Sequence, residues 1–194
     1  MPRISTSTLA EHRDWRRQQL IAAATSIALE AGGRAITVAA VAERAGLSRT
    51  SVYEYFGSSA ELVADLVIEE LRNFSTTLSE AIADEAQPFE AIAQWIDAAL
   101  MYIADGQHLL AKALSATSMP QQRGLEIAQA HRGLLAPLHA ALTELKVEDI
   151  SHALALIQSV TDVATKRIES GNEAEIEIAI AINFCLAGIR SLVN

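Results

Sequence analysis

The sequence between Thr37 and Phe56, TVAAVAERAGLSRTSVYEYF, leaves room for two short helices and only a few residues for the turn between them. Thr37 and Ser48 are good N-cap residues, because a side-chain hydroxyl can accept a hydrogen bond from a backbone amide that the first helical turn leaves unpaired. Gly46 can adopt the positive φ angle that so abrupt a reversal requires. Two short helices joined by such a glycine-containing turn are typical of a helix-turn-helix.

The rest of the chain is predicted to be helical as well. It has only four prolines and nine glycines among 194 residues, and Ala, Leu, Ile and Glu, which are common in helices, abound. Apolar residues recur at helical spacing in the segments 14–31, 59–83, 89–104, 108–116, 148–169 and 173–193. We therefore predict an all-α fold of about nine helices. Residues 1–58 would form a three-helix domain that contains the helix-turn-helix, preceded by an N-terminal arm, and residues 59–194 a larger helical domain.

Charge is unevenly distributed along the chain. The formal net charge is −9, yet residues 1–60 contain seven arginines and five acidic residues. The remainder is therefore strongly acidic. This asymmetry favours an N-terminal segment that faces nucleic acid, joined to a body that would not itself adhere to it.

The last predicted helix, residues 173–193, is apolar on nearly every face. A helix of this kind is normally buried on all sides. At the end of a chain this small, we expect a second subunit to complete that burial, with the preceding helix forming the other half of a four-helix interface. The residues predicted at this interface are Ile157, Val160, Ile180, Phe184 and Ile189.

The N-terminal motif resembles the TetR family of bacterial repressors, named for the tetracycline repressor. The resemblance is carried by the helix of residues 14–31, then TVAAVAERAGLS (37–48), SVYEYF (51–56) and SSAELV (58–63). It covers about the first 65 residues and requires the Gly-Leu-Ser turn and the tyrosines to fall in register. The remaining residues match only in the number and arrangement of helices.

The resemblance implies which residues would contact DNA. Those placed at the major groove are Ser48, Arg49, Thr50, Ser51 and Tyr53, and those near phosphates are Thr37 and Tyr55. The family commonly has a lysine just before the acidic residue that opens the fourth helix, where this chain has Ser59. Arg13, Arg16 and Arg17 are candidates to replace that missing charge.

The resemblance also implies a function. The chain would be a homodimeric repressor that binds a pseudo-palindromic operator in double-stranded DNA and is released by a small-molecule effector bound in residues 59–194. The candidate effector-binding residues are Trp95, Met101, Tyr102, His108, Met119, His131, Gln158 and Asp162. Each of them could equally belong to the core or to an interface. If Asp162 faces a cavity, a cationic or hydrogen-bond-donating effector would be favoured.

Other classes of function find little support in the sequence. The five histidines and the single cysteine, Cys185, have no spacing typical of a catalytic or metal site, and there is no glycine-rich phosphate loop. We expect no enzymatic activity, cofactor, metal, membrane span or signal peptide, and a cytoplasmic location. Two alternatives stay open. One is an activator or effector-independent regulator of the same fold, and the other a helical interaction protein whose motif is accidental.

Overall fold

A computed structural model of the chain describes residues 6–84, 86–114 and 120–193, with side chains from residue 11 onward. The described residues form nine α-helices and no strand, which confirms the predicted fold class. The helices are α1 (Thr6–Ala31), α2 (Val38–Ala45), α3 (Arg49–Tyr53), α4 (Ser59–Glu80), α5 (Pro88–Ala104), α6 (Leu109–Leu114), α7 (Gly124–Glu144), α8 (Ile150–Glu169) and α9 (Ala174–Arg190). Single 3-10 turns lie at Gly33–Ala35 and Gln121–Arg123.

Several helix ends differ from the sequence prediction, and the differences at α1 and α3 have a clear physical reason. Helix α1 begins at Thr6, although the apolar pattern that predicts it starts only at Trp15, because the first turns are polar and carry no periodic signal. Helix α3 ends at Tyr53 and does not reach Phe56. The Tyr55 amide donates to the carbonyl three residues back, on Val52, and this shorter step ends the α-helical pattern.

The helices divide into two compact units. The first unit consists of residues Met1–Glu70 and Leu109–Ile127. Its core is built from α1, α2, α3 and the start of α4, together with Leu114 of α6, whose side chain is fully buried. Helix α6 packs against α1 and the 3-10 turn Gly33–Ala35. Residues distant in sequence from the helix-turn-helix are therefore part of the same core.

One carboxylate ties three parts of the first unit together. Asp65 of α4 accepts a hydrogen bond of 2.6 Å from Arg17 of α1 and another of 2.6 Å from Arg123 of the second 3-10 turn. The Asp65 side chain is 16% exposed, so water screens these ion pairs only in part. The hydrogen bond to Asp65 raises the pKa of Arg123. Both arginines are thereby fixed by a single side chain.

The second unit consists of residues Leu71–His108 and Ala128–Asn194. Its core lies between α5, α8 and α9, and it also includes Leu78 of α4 and the α7 residues Leu134, Leu138 and Leu142. Trp95 of α5 is buried, and its indole N–H donates to the Leu134 carbonyl at 2.9 Å. A buried indole N–H needs such an acceptor.

The single cysteine is buried in the second unit, as its apolar surroundings in the sequence suggest. The side chain of Cys185 on α9 is 5% exposed, and burial raises the pKa of its thiol to about 11. Because the thiolate is the reactive form, we expect Ellman's reagent to label Cys185 very slowly in the native protein at pH 8. Full labelling should follow denaturation, which serves as the control. Rapid stoichiometric labelling of the native protein would contradict this placement.

Candidate nucleic-acid interface

The three residues that the sequence predicts as caps and turn define where α2 and α3 begin and where α2 ends. The Thr37 hydroxyl accepts from the Ala40 amide at 3.1 Å and so caps α2. Gly46 ends α2 with a φ of 66°, a conformation that costs glycine nothing. The Ser48 hydroxyl accepts from the Ser51 amide at 3.1 Å and caps α3. The predicted caps and turn are confirmed.

Helix α3 turns one face inward and another to solvent. Val52 is completely buried against the core of the first unit. Arg49, Thr50 and Tyr53 are exposed, Tyr53 to 57%, and the adjoining Ser48 is exposed too. Ser51 is half-buried, and its hydroxyl lies 3.0 Å from that of Ser48. The residues predicted to meet the major groove thus share one short polar surface, which we call the reading face: Ser48, Arg49, Thr50, Ser51 and Tyr53.

The candidate phosphate contacts lie in different surroundings. Thr37 is exposed at the start of α2, and Tyr55 is half-buried just after α3. Arg16 and Arg17 are half-buried on α1, and the charge of Arg17 is already paired with Asp65. The Arg17 guanidinium also lies over the Phe56 ring, 5.6 Å from its centroid. Arg17 therefore contributes to the packing of the first unit.

An ion pair that the sequence analysis missed joins α1 to α2. Arg44 donates to both carboxylate oxygens of Glu30, at 2.8 and 2.7 Å, and the Ser26 hydroxyl donates to the same carboxylate. The hydrogen bond from Arg44 lowers the pKa of Glu30 to about 2. The two residues lie on different helices, so helical spacing gives no signal for the pair. It helps to hold α2, which precedes the reading face, against α1.

The start of α4 is occupied by an acidic side chain. The Ser58 hydroxyl accepts from the Glu61 amide at 3.2 Å, and the Glu61 carboxylate accepts from the Gly57 amide at 2.9 Å. A free amide at a helix N-terminus would attract an anion. Here the Gly57 amide is already bonded, a carboxylate lies beside it, and residue 59 is serine. A phosphate at this end of α4 would therefore meet the Glu61 carboxylate and no positive charge from residue 59.

Beside the C-terminal end of α3 lies a shallow notch of about 330 Å³ lined by His12, Arg13, Glu54 and Tyr55. The Arg13 guanidinium lies 6.0 Å from the centroid of the Tyr55 ring, within the range of a cation–π contact. The centroid of the His12 ring lies 5.9 Å from the centroid of the Trp15 ring. Of these four residues the sequence predicts a role only for Arg13 and Tyr55. The contact between α1 and the end of α3 joins residues distant in sequence, so local spacing does not predict it.

A protein-family model matches this same region of the chain. A model described as "Bacterial regulatory proteins, tetR family" matches residues 20–66, which run from the middle of α1 into the first turns of α4. Residues 20–66 belong to the TetR family. A comparison with curated proteins found no match.

Solved structures share the TetR-family fold over nearly the whole chain. A putative transcriptional regulator from Pseudomonas aeruginosa PAO1 is 17% identical with a TM-score of 0.76, over 93% of this chain and 95% of that one. The fatty acid degradation regulator FadR from Bacillus halodurans is 19% identical, with a TM-score of 0.70 and coverages of 88% and 94%. FadR from Bacillus subtilis, solved in complex with stearoyl-CoA, is 22% identical, with a TM-score of 0.69 and coverages of 91% and 99%.

In the second unit of this TetR-family fold, α8 and α9 form an open groove of about 820 Å³. Its lining includes all five residues predicted at a subunit interface: Ile157, Val160, Ile180, Phe184 and Ile189. Ile157 and Ile189 are buried, whereas Ile180 and Phe184 are 57% and 67% exposed. At its edge Arg167 donates from Nε to both oxygens of Glu177, each at 2.8 Å, which lowers the pKa of that carboxyl. The groove is otherwise almost entirely apolar.

The described candidate effector-binding residues lie in different surroundings. Trp95 and Tyr102 are buried, Tyr102 stacking on Phe74 with 4.3 Å between ring centroids. The His108 side chain is 14% exposed, and its Nε2 lies 2.9 Å from a carboxylate oxygen of Glu169. The others lie at or near the surface, with Met101, His131 and Asp162 exposed and Gln158 half-buried, while Met119 lies outside the described residues. None of the seven described candidates is among the residues that line the groove between α8 and α9.

Two further observations concern the described part of the chain. None of its helices combines the length and the apolar character needed to cross a membrane. No three of its His, Cys, Asp or Glu side chains are grouped so that they could hold a metal ion.

Proposed function

We propose that the chain is a transcriptional repressor that binds a pseudo-palindromic operator in double-stranded DNA as a homodimer and is released by a small-molecule effector. The observation that carries the proposal is the exposed reading face on α3, held in place by capped helices and a buried Val52. A second helix that projects its first residues toward base edges is the usual arrangement of a DNA-binding helix-turn-helix. The protein would act without catalysis, in the cytoplasm.

Arg49 is the most informative side chain on the reading face. Its guanidinium can donate two hydrogen bonds to O6 and N7 of guanine, a pattern that distinguishes this base from the other three. The hydroxyls of Ser48, Thr50 and Tyr53 can each donate or accept a hydrogen bond, so they can bond to the edges of more than one kind of base pair. Thr37 and Tyr55 would contact phosphates and set the orientation of α3 without reading sequence.

The apolar groove supports the homodimer. Monomeric proteins rarely expose large contiguous apolar patches, and here Ile180, Phe184 and Val163 are each more than half exposed along α8 and α9. A second copy that brings the same two helices would cover both patches in an isologous interface. The two reading faces could then enter successive major grooves about 34 to 36 Å apart.

We also propose that a small-molecule effector controls DNA binding. The structure of B. subtilis FadR in complex with stearoyl-CoA supports it, because a protein of this fold can hold a small molecule. The effector would bind in the helical domain of residues 59–194, separate from the DNA-binding domain of residues 1–58. It would release DNA only if it binds the DNA-free conformation more tightly. Isothermal titration against a metabolite panel tests this, and heat from no compound would favour the effector-independent alternative.

The reading face is tested by mobility shift with genomic fragments. We expect specific binding that survives competitor DNA, and a loss of about 30-fold or more in Arg49→Ala, because each of the two subunits loses a bidentate contact to guanine that contributes about 1 to 3 kcal/mol. Tyr53→Ala should also weaken binding. Arg132→Ala is the matched control, since Arg132 is exposed on α7 in the second unit.

Each alternative predicts a different result. Unchanged binding in both reading-face variants would refute the assignment of that face. The absence of any specific fragment would favour a helical interaction protein. In vitro transcription from a bound fragment separates repressor from activator, since only a repressor lowers the yield of transcript.

A further inference from the structure

We infer that Arg123 is a positioning residue for the reading face, although it lies far beyond α3 in the sequence. It acts through Asp65 and Arg17 to fix the backbone at the end of α3, and so keeps the reading face aligned with base edges. The inference rests on the proposed function. The matching family model covers residues 20–66 and therefore assigns no role to Arg123 or Arg17.

The first link is the carboxylate of Asp65, whose two oxygens hold different arginines. Oδ1 accepts from Arg123 and Oδ2 from Arg17, each at 2.6 Å. The side chains of Asp65 and Arg123 are 16% and 22% exposed. Water screens such a pair less than it screens a pair at the surface. With both oxygens bonded, the carboxylate cannot turn relative to Arg17 without losing its bond to Arg123.

The second link joins Arg17 to the segment that follows α3. The Arg17 guanidinium lies over the Phe56 ring, 5.6 Å from its centroid. Phe56 is buried, and its amide donates to the Val52 carbonyl at 3.0 Å. Val52 is the buried residue of α3. A shift of Arg17 would therefore act on the ring and on the backbone that hold the end of α3.

Glu126 offers a matched control, because it is the other partner of Arg123. It accepts a hydrogen bond from Arg123 at 3.0 Å, but its side chain is 53% exposed. An ion pair this exposed contributes little to stability. Glu126→Gln removes a charge beside Arg123 and leaves both bonds of Asp65 in place, whereas Arg123→Gln removes the bond to Oδ1.

A displaced reading face should affect base contacts more than phosphate contacts. Hydrogen bonds to base edges carry the sequence information and weaken steeply when donor and acceptor are misaligned. Phosphate contacts bind all DNA alike. Arg123→Gln should therefore lower the affinity for the operator and keep most of the affinity for an unrelated duplex. A purely structural role, in which part of the protein is unfolded, would lower both affinities by the same factor.

Fluorescence anisotropy measures both dissociation constants, on an operator fragment and on an unrelated duplex of the same length. In Arg123→Gln we expect the ratio of the two affinities to fall about 10-fold, as for one lost base contact. The dependence of affinity on salt should stay as in wild type, because no phosphate contact is lost. Arg123→Lys can still pair with Asp65 and should keep most of the ratio, and Glu126→Gln should match wild type. An unchanged ratio in Arg123→Gln would overturn the inference, as would an equal fall in Glu126→Gln.

A double variant tests the route through Asp65. Arg17 and Arg123 bond to the same carboxylate, so their effects on the affinity ratio should not be independent. In Arg17→Gln/Arg123→Gln the ratio should fall by much less than the product of the falls in the two single variants. A fall equal to that product would show that the two arginines act separately, and would overturn the route.

Hydrogen exchange without DNA separates this inference from the proposed function. Equal wild-type affinity for both duplexes would refute the repressor, yet amides of residues 52–56 should still exchange faster in Arg123→Gln than in wild type or Glu126→Gln. Unchanged exchange of these amides would overturn the positioning role. Circular dichroism checks that each variant is folded. If Arg123→Gln does not fold, Asp65→Asn serves in its place, with the same fall of the affinity ratio expected and an unchanged ratio counting against the inference.

Discussion

Replacing Leu114 with alanine should loosen the helix-turn-helix, even though residue 114 lies far beyond it in the sequence. Leu114 is fully buried in the core that α1, α2, α3 and α4 share, so the substitution removes packing from that core. Truncating a buried leucine costs about 2 to 5 kcal/mol, part of it from the cavity that remains. We expect the free energy of unfolding of the first unit to fall by an amount in this range.

Hydrogen exchange followed by mass spectrometry locates the effect. In Leu114→Ala, amides of α1, α2 and α3 should exchange faster, because local opening becomes easier when the core weakens. Leu109→Ala is the matched control, since Leu109 lies on the same helix but is 50% exposed, and it should change stability by no more than about 0.5 kcal/mol. Unchanged protection of α1 to α3 in Leu114→Ala would show that α6 does not support them.

The second large effect is expected at the groove between α8 and α9. Phe184→Glu should raise the dissociation constant of the homodimer by about 30-fold or more, since a central aromatic residue often contributes about 2 kcal/mol or more to an interface. In an isologous interface the substitution also introduces one charge from each subunit. The affinity for the operator should fall together with the affinity between subunits, because a monomer engages only one half-site.

Analytical ultracentrifugation over a range of concentrations measures this effect. Leu125→Glu is the control, because Leu125 is 83% exposed on α7 and does not line the groove. Phe184 is 67% exposed in the single chain, so the folded subunit should tolerate glutamate there, and circular dichroism checks that it does. A Phe184→Glu protein as dimeric as wild type would place any interface elsewhere.

The sequence predicts those features that depend on neighbouring residues. Thr37, Gly46 and Ser48 act within one helical turn of their own positions, so their roles can be read from the chain directly. The exposed apolar residues of α9 can also be predicted from the sequence. Apolar residues lie on nearly every face of this helix, whereas α5 and α8 cover only some of these faces, so Ile180 and Phe184 stay exposed. Local sequence therefore predicts the caps and turn of the helix-turn-helix and the apolar face of α9, whereas the residues of the reading face come from the family resemblance.

Contacts between distant residues are not visible in this way. Asp65 meets Arg17 and Arg123 only after α1, α4 and the second 3-10 turn have packed, and no spacing in the sequence connects these residues. Local spacing also gives no signal for the surroundings of the candidate effector-binding residues. Trp95 is buried and its indole N–H donates to a backbone carbonyl, whereas His131 is exposed.

The inclusion of residues 109–127 in the first unit has a practical consequence for protein engineering. A chimaera could, for example, take residues 1–58 from one protein and the remaining residues from another. A graft of residues 1–58 alone would omit Leu114, as well as Asp65, which bonds Arg17, and Arg123, which bonds Asp65 in turn. A donor segment for such a chimaera should therefore be chosen to match the recipient at positions 65, 114 and 123, or should bring those residues with it.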